Sequence, residues 1–177
     1  AINYMVSNYR VDPGRIYMTG ISKGAGMCFG YPNAGLAFAN KVAAIAPLAA
    51  CEALTWGGAT NVVNAKMRIW ALHCPADNIC NAATSAGSVI NVNTQSPTLP
   101  LLAQYTATPA WSPSYPHDIF WIPYEPSYTT LETNGKNMYD WFIQYSKDSS
   151  PPPPPPSNVA PIANAGKAEP DAAAEVE

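Results

Sequence analysis

Ser22 stands at the centre of Gly20-Ile21-Ser22-Lys23-Gly24, a G-x-S-x-G pattern directly after the apolar run Arg15-Ile16-Tyr17-Met18-Thr19. Between a strand and a helix, this pattern makes a sharp turn that lifts a serine hydroxyl clear of a sheet edge. The backbone N–H of Lys23, at the start of the following helix, would then point at a developing oxyanion. A serine hydroxyl at its ordinary pKa is a weak nucleophile, so it needs a base, and the base needs an orienting acid. The chain has only two histidines, His73 and His117. His73 ends the apolar run Met67–Leu72, whereas Asp77 and then His117 fall on loops farther along. Ser22, Asp77 and His117 therefore follow in the chain order of nucleophile, acid and base, each after an expected strand. Such a set performs acyl transfer.

The elements that must position these residues are legible as periodicities. Ile2, Met5, Val6 and Tyr9 have helical spacing, and Val11-Asp12-Pro13-Gly14 ends that helix in a turn. Arg15–Thr19 reads as a short buried strand, and the small apolar stretch Ala25–Phe29 as a helix packed closely on a sheet. Tyr31-Pro32-Asn33 is expected to interrupt that helix. Lys41–Ala50 and Met67–Leu72 are continuous apolar runs, as in parallel strands covered on both faces. Residues 82 to about 105 begin helix-like and turn irregular, with Gln104–Ala107 as a last strand. The amphipathic stretch Asn137–Tyr145 closes the globular part, its apolar face formed by Met138, Trp141, Phe142 and Tyr145. Strands alternating with helices predict an α/β protein with a mostly parallel sheet.

Four stretches carry a more specific likeness: "VDPGRIYMTGISKGAGM", "FANKVAAIAPLAAC", "IWALHCPADNIC" and "PHDIFW". Together they resemble the polyhydroxybutyrate-depolymerase-like and feruloyl-esterase-like branch of the α/β-hydrolases. That branch has an aspartate-proline turn before the elbow strand, an "AAIAP" strand, a His-Gly-x-x-Asp loop and a Gly-His-Asp-x-x-Trp-like loop. Here Cys74 and Pro116 stand where the branch has glycines, and Lys23 follows the serine in place of Met, Gln or Asn. The resemblance covers roughly residues 1–147. It implies Ser22 as nucleophile, Asp77 as acid, His117 as general base and the Lys23 N–H as oxyanion donor. It also implies an ester substrate, such as a polyester or a polysaccharide-linked acyl or feruloyl group, and no cofactor. By the same resemblance, the family's first strands and its second oxyanion donor would precede residue 1. A non-catalytic binding or interaction module of the same fold is the competing expectation, as is a prolyl-oligopeptidase-like peptidase.

Other residues near these motifs admit plainer readings. His73 is expected to hydrogen-bond within the acid loop or cap a strand end. His73, Cys74, Asp77 and Cys80 have H-C-x2-D-x2-C spacing that could suit zinc, but the triad needs the same aspartate; no metal is expected. Asp118 could serve as acid only by pairing with its sequence neighbour. Trp111, Trp121, Tyr124 and Tyr128 crowd the histidine loop as packing or as an aromatic wall, and Trp121 matches the family's tryptophan as a substrate contact. Of the four cysteines, Cys51 pairing with Cys80 or with Cys74 would pin the acid loop.

Composition sets the broader frame. Charged residues are only 12% of the chain and the formal net charge is −3, with no basic cluster. This argues against nucleic acid or an anionic membrane as the main partner. No apolar stretch reaches the roughly 20 residues that span a bilayer. A surface solvated by neutral polar groups is commoner in secreted proteins. Residues 148–157 contain six consecutive prolines, the composition of an extended spacer. Beyond them, "NVAPIANAG" in residues 158–177 resembles the opening of a PKD or immunoglobulin-like β-sandwich module of multidomain secreted bacterial enzymes. The expectation is a secreted or cell-surface hydrolase, with such a module downstream.

Overall fold

In a computed structural model, residues 1–110, 112–119 and 122–147 are described. The expected linker and β-sandwich opening, and Trp111 and Trp121, lie outside them. Four strands, β1 (Tyr17–Ile21), β2 (Ala44–Leu48), β3 (Arg68–His73) and β4 (Ala103–Ala107), form one sheet in the order β1-β2-β3-β4, all parallel. Each strand therefore pairs with the next in sequence, and every link between them is a crossover. The helices are α1 (Ile2–Asn8), α2 (Lys23–Asn33), α3 (Leu36–Ala39), α4 (Trp56–Asn64), α5 (Ala82–Gln95) and α6 (Met138–Ile143).

The continuous apolar runs are explained by burial on both faces. Along β2 and β3, Ile45, Ile69 and Ala71 pack with Ala25, Phe29, Val62, Val89 and Val92 of α2, α4 and α5. The alternating residues Ala44, Ala46, Leu48, Trp70 and Leu72 face Met138, Trp141 and Phe142 of α6. A strand with helices on both sides has no polar face to show, so period-2 alternation disappears from its sequence. The β2–β3 register runs from Ala44↔Arg68 to Leu48↔Leu72 without a pair at Ala46 or Pro47. Pro47 has no N–H to give to a ladder.

Several boundaries differ from the sequence reading. β1 starts two residues later than expected and runs through Gly20 to Ile21, because both residues stay in register with Pro47 and Leu48. Helix α2 is not interrupted at Tyr31-Pro32-Asn33. It continues through Pro32, which lies one residue from the helix end, where a missing N–H and a ring clash affect only the final turn. Helix α4 was not anticipated. The Thr55 hydroxyl caps it by accepting from Gly58 N at 3.0 Å, and Asn33 Oδ1 accepts from both Thr55 N and Thr55 Oγ1. Its two glycines mask the helical periodicity. Gly58 is needed because a Cβ there would strike the Asn33 side chain.

The last described residue is tied to the base of the sheet. Lys147 N donates to Gly14 O at 2.9 Å, and Lys147 Nζ donates to Ala65 O at 2.6 Å. Both acceptors precede strands, at the end of the sheet opposite Ser22. Burial pushes the Lys147 ammonium down to about 8. Among the described residues, no helix is long and apolar enough to cross a membrane.

Candidate active site

The site assembles where β1, β2 and β3 end. Ser22 joins β1 to α2 with φ 56 and ψ −115, a conformation that side chains other than glycine rarely adopt. Its N–H donates to Leu48 O at 2.9 Å, extending the β1–β2 ladder by one bond and holding the turn in place. Beside it, at the end of β2, Ala49 also has a positive φ of 50. Two non-glycine residues in left-handed conformations at one sheet edge concentrate strain there, a pattern common at functional sites.

The two glycines of the pentapeptide are not equivalent. A Cβ on Gly20 would lie 2.7 Å from the carbonyl carbon of Gly24, so the turn closes only without one. A Cβ on Gly24 would meet nothing within 4 Å. Gly20 is the steric requirement of the turn. The first N–H groups of α2, including that of Lys23, have no carbonyl one turn earlier to bond, and Ser22 gives them no side-chain cap.

The acid loop between β3 and α5 is organised around the Asp77 carboxylate, whose side chain is fully shielded from solvent. Its Oδ1 accepts from the backbone N–H of Ile79 at 2.8 Å and of Cys80 at 2.9 Å, forming a tight turn. Its Oδ2 accepts from His73 Nε2 at 2.9 Å and from His117 Nδ1 at 2.6 Å. Burial alone would raise this carboxyl's pKa. The bonds from His117, Cys80 and Ile79, with the charge of His117, outweigh it and hold Asp77 below the ordinary carboxylate range.

His73 is completely buried at the end of β3. Its Nε2–H is shared between Asp77 Oδ2 and Cys80 O (3.0 Å), and its Nδ1 accepts from the Ser85 hydroxyl at 2.8 Å. Both ring nitrogens are thus engaged in bracing the acid loop. His117, by contrast, reaches the same carboxylate from a loop 40 residues away and keeps its side chain 12% exposed. It borders a cleft of about 460 Å³ lined also by Asn78, Ile79, Ser114, Tyr115 and Asp118. Asp118 lies in that cleft, while Asp77 is the carboxylate bonded to His117 Nδ1.

Cys51, just after β2, forms a disulfide with Cys80 across a Cα–Cα distance of 4.7 Å. Cys51 Sγ is 3.7 Å from Ser22 Oγ. The disulfide therefore touches the elbow on one side and the acid loop on the other. Cys28 and Cys74 are free and buried, and burial pushes the Cys28 thiol up to about 12. The H-C-x2-D-x2-C stretch does not gather as four ligands, since Cys80 is bonded to Cys51 and His73 to Asp77, Ser85 and Cys80.

Ser22, Lys23 and Cys51 thus stand after β1 and β2, and Asp77, Cys80 and His117 meet beyond the disulfide; Ser22 Oγ is in contact with Cys51 Sγ and is not hydrogen-bonded to His117. Ser85 was not anticipated. Its signal was a polar residue on the buried face of α5, shared with Ser88 one turn later.

The chain is similar in structure to a thermostable esterase, with a TM-score of 0.54 and 19% sequence identity, over 82% of this chain and 35% of that one. Four parallel strands, the helices on both faces and this likeness define an α/β-hydrolase fold. The chain spans about a third of the length of that esterase. No family model and no curated protein matches it.

Proposed function

We propose that this chain carries the nucleophile, base and acid of a secreted serine hydrolase that cleaves carboxylic esters through an acyl-enzyme. The observation that carries the reading is the 2.6 Å bond from His117 Nδ1 to a shielded, ionised Asp77, at the edge where Ser22 is held at positive φ. Ser22 Oγ attacks the ester carbonyl carbon as its proton passes to His117 Nε2. Asp77 fixes the Nδ1–H tautomer and offsets the charge of the imidazolium. The carbonyl oxygen, now an oxyanion, is received by the Lys23 N–H, with the dipole of α2 behind it. Collapse of the tetrahedral intermediate expels the alcohol, which takes the proton back from His117. Water then repeats the sequence on the acyl group and frees Ser22.

The cleft beside His117, with Ile79 and Tyr115 exposed along it, supports an apolar acyl or leaving group as its occupant. Polyester and polysaccharide-linked acyl or feruloyl esters, the substrates implied by the sequence resemblance, are the classes to assay. The experiment is labelling of the full-length protein by a fluorophosphonate probe, with ester hydrolysis measured alongside. Wild type labels and Ser22→Ala does not. A folded full-length protein that takes no label overturns the reading.

A further inference from the structure

The Cys51–Cys80 disulfide stands between the candidate nucleophile and the acid loop. Cys51 Sγ is 3.7 Å from Ser22 Oγ, and both bridge sulfurs lie within 4.8 Å of a ring nitrogen of His117. A sulfur bonded to another sulfur has no proton to give, so the Ser22 hydroxyl is the donor in this contact and Cys51 Sγ a weak acceptor. Cys80 is also built into the acid loop by its backbone. Its N–H donates to Asp77 Oδ1 at 2.9 Å, and its carbonyl accepts from His73 Nε2 at 3.0 Å. One residue therefore holds the acid with its backbone and reaches the elbow through its sulfur.

Apart from the bridge, the two halves of the site are placed by different parts of the fold. The elbow is set by β1, β2 and α2, through the Ser22 N–H bond to Leu48 O and the close approach of Gly20 to Gly24. The acid loop is set by β3 and α5, through His73 and its bond to Ser85. His117 arrives from a third segment and is placed by Asp77. Cys51 lies on the link from β2 to α4 and Cys80 on the link from β3 to α5, so the disulfide joins the halves covalently.

We propose, resting on the hydrolase reading, that Cys51 and Cys80 are positioning residues of the reaction. Their disulfide fixes where Ser22 Oγ stands relative to the Asp77–His117 pair, beyond what it adds to stability. A bridge that only stabilises acts by closing a loop, and its contact with one particular oxygen is immaterial. This one has a sulfur against the nucleophile, and misplacing a reacting group by about 1 Å costs on the order of 10²-fold in rate. It seats the hydroxyl and the acid loop on one rigid unit. Their spacing then does not follow the separate fluctuations of the two links.

The test compares the full-length protein with its Cys51→Ala/Cys80→Ala variant in the cold, well below the melting transition of either, with circular dichroism checking the fold. The expected result is a fluorophosphonate labelling rate and a kcat both lowered about 10²-fold. KM should stay within about twofold, because neither cysteine lines the cleft and Ile79 keeps its bond to Asp77. A folded variant that labels and turns over at the wild-type rate overturns the proposal, since a stabilising role alone predicts that result. A second measurement covers a variant that does not fold. Wild type is treated in the cold with a phosphine, which takes up oxygen from water as the exposed bridge opens to two thiols. Labelling rate and circular dichroism are followed together. Labelling should fall as thiols appear, ahead of any change in the spectrum; loss of the two in step overturns the proposal. Untreated wild type that takes no label fails the hydrolase reading itself, and this inference with it, an outcome distinct from equal labelling of the two forms.

Discussion

Two histidines donate to the same carboxylate oxygen, yet their surroundings differ. His73 ends a central strand with no exposure and has both ring nitrogens committed, one to Ser85 and the other to Asp77 and the Cys80 carbonyl. His117 sits on a long loop beside an open cleft, joined to the acid by Nδ1 and partly exposed. A ring enclosed by hydrogen-bond partners cannot exchange protons with a substrate. What distinguishes the bracing histidine from the proposed base is access.

Substitution of each ring should separate them most widely. His117→Ala is expected to lower ester hydrolysis by about 10⁴-fold, with a loss of stability, from the bond to Asp77, smaller than that of His73→Ala. Asp77→Asn should cost a similar factor in kcat, by leaving the base in the wrong tautomer, with KM little moved. A His117→Ala enzyme retaining a tenth of wild-type turnover would dissolve the contrast. His73→Ala should act through stability, by about 2–4 kcal/mol in urea unfolding, because it opens a cavity and strands the Ser85 hydroxyl and Cys80 carbonyl.

Acid titration sharpens the shared partner. The Asp77 carboxyl is held below its ordinary value of 3.8, so its contribution to stability is complete above that value and is lost as pH falls through the lowered one. The stability gap between wild type and Asp77→Asn should therefore narrow as pH falls below about 4. Chemical denaturation at pH 3 and pH 6 measures it, and a gap of equal size at both would remove the carboxylate's charge from the account. The smallest effect belongs to Ser85→Ala, which takes one bond from His73: about 1 kcal/mol of stability, with kcat within twofold of wild type.

The same contrast explains what could be read in advance. Ser22, Asp77 and His117 were legible as candidates because the chemistry proposed for them demands particular residue types in a particular order on loops after strands. The double burial of β2 and β3 was legible as uninterrupted apolar runs. Helix α4 was not, because Gly57 and Gly58 lower the local helical signal, and Gly58 serves a close approach to the Asn33 side chain. Nor could the pentapeptide say that only one of its glycines is sterically required. That depends on where the backbone of residue 24 passes, which is a property of the folded turn. The partner of Cys51 was open between two cysteines six residues apart. The structure joins it to Cys80, while Cys74 points into the core beneath α6.

The anchoring of Lys147 to Gly14 and Ala65 acts as a clasp at one pole of the fold. Those carbonyls lie at the foot of the strands, and Ser22 and His117 at their head. The segment after α6 is thereby fastened to the turns that lead into β1 and β3, on the side of the sheet away from the candidate site. Loosening the clasp would free the foot of the sheet and leave the loops at its head as they are.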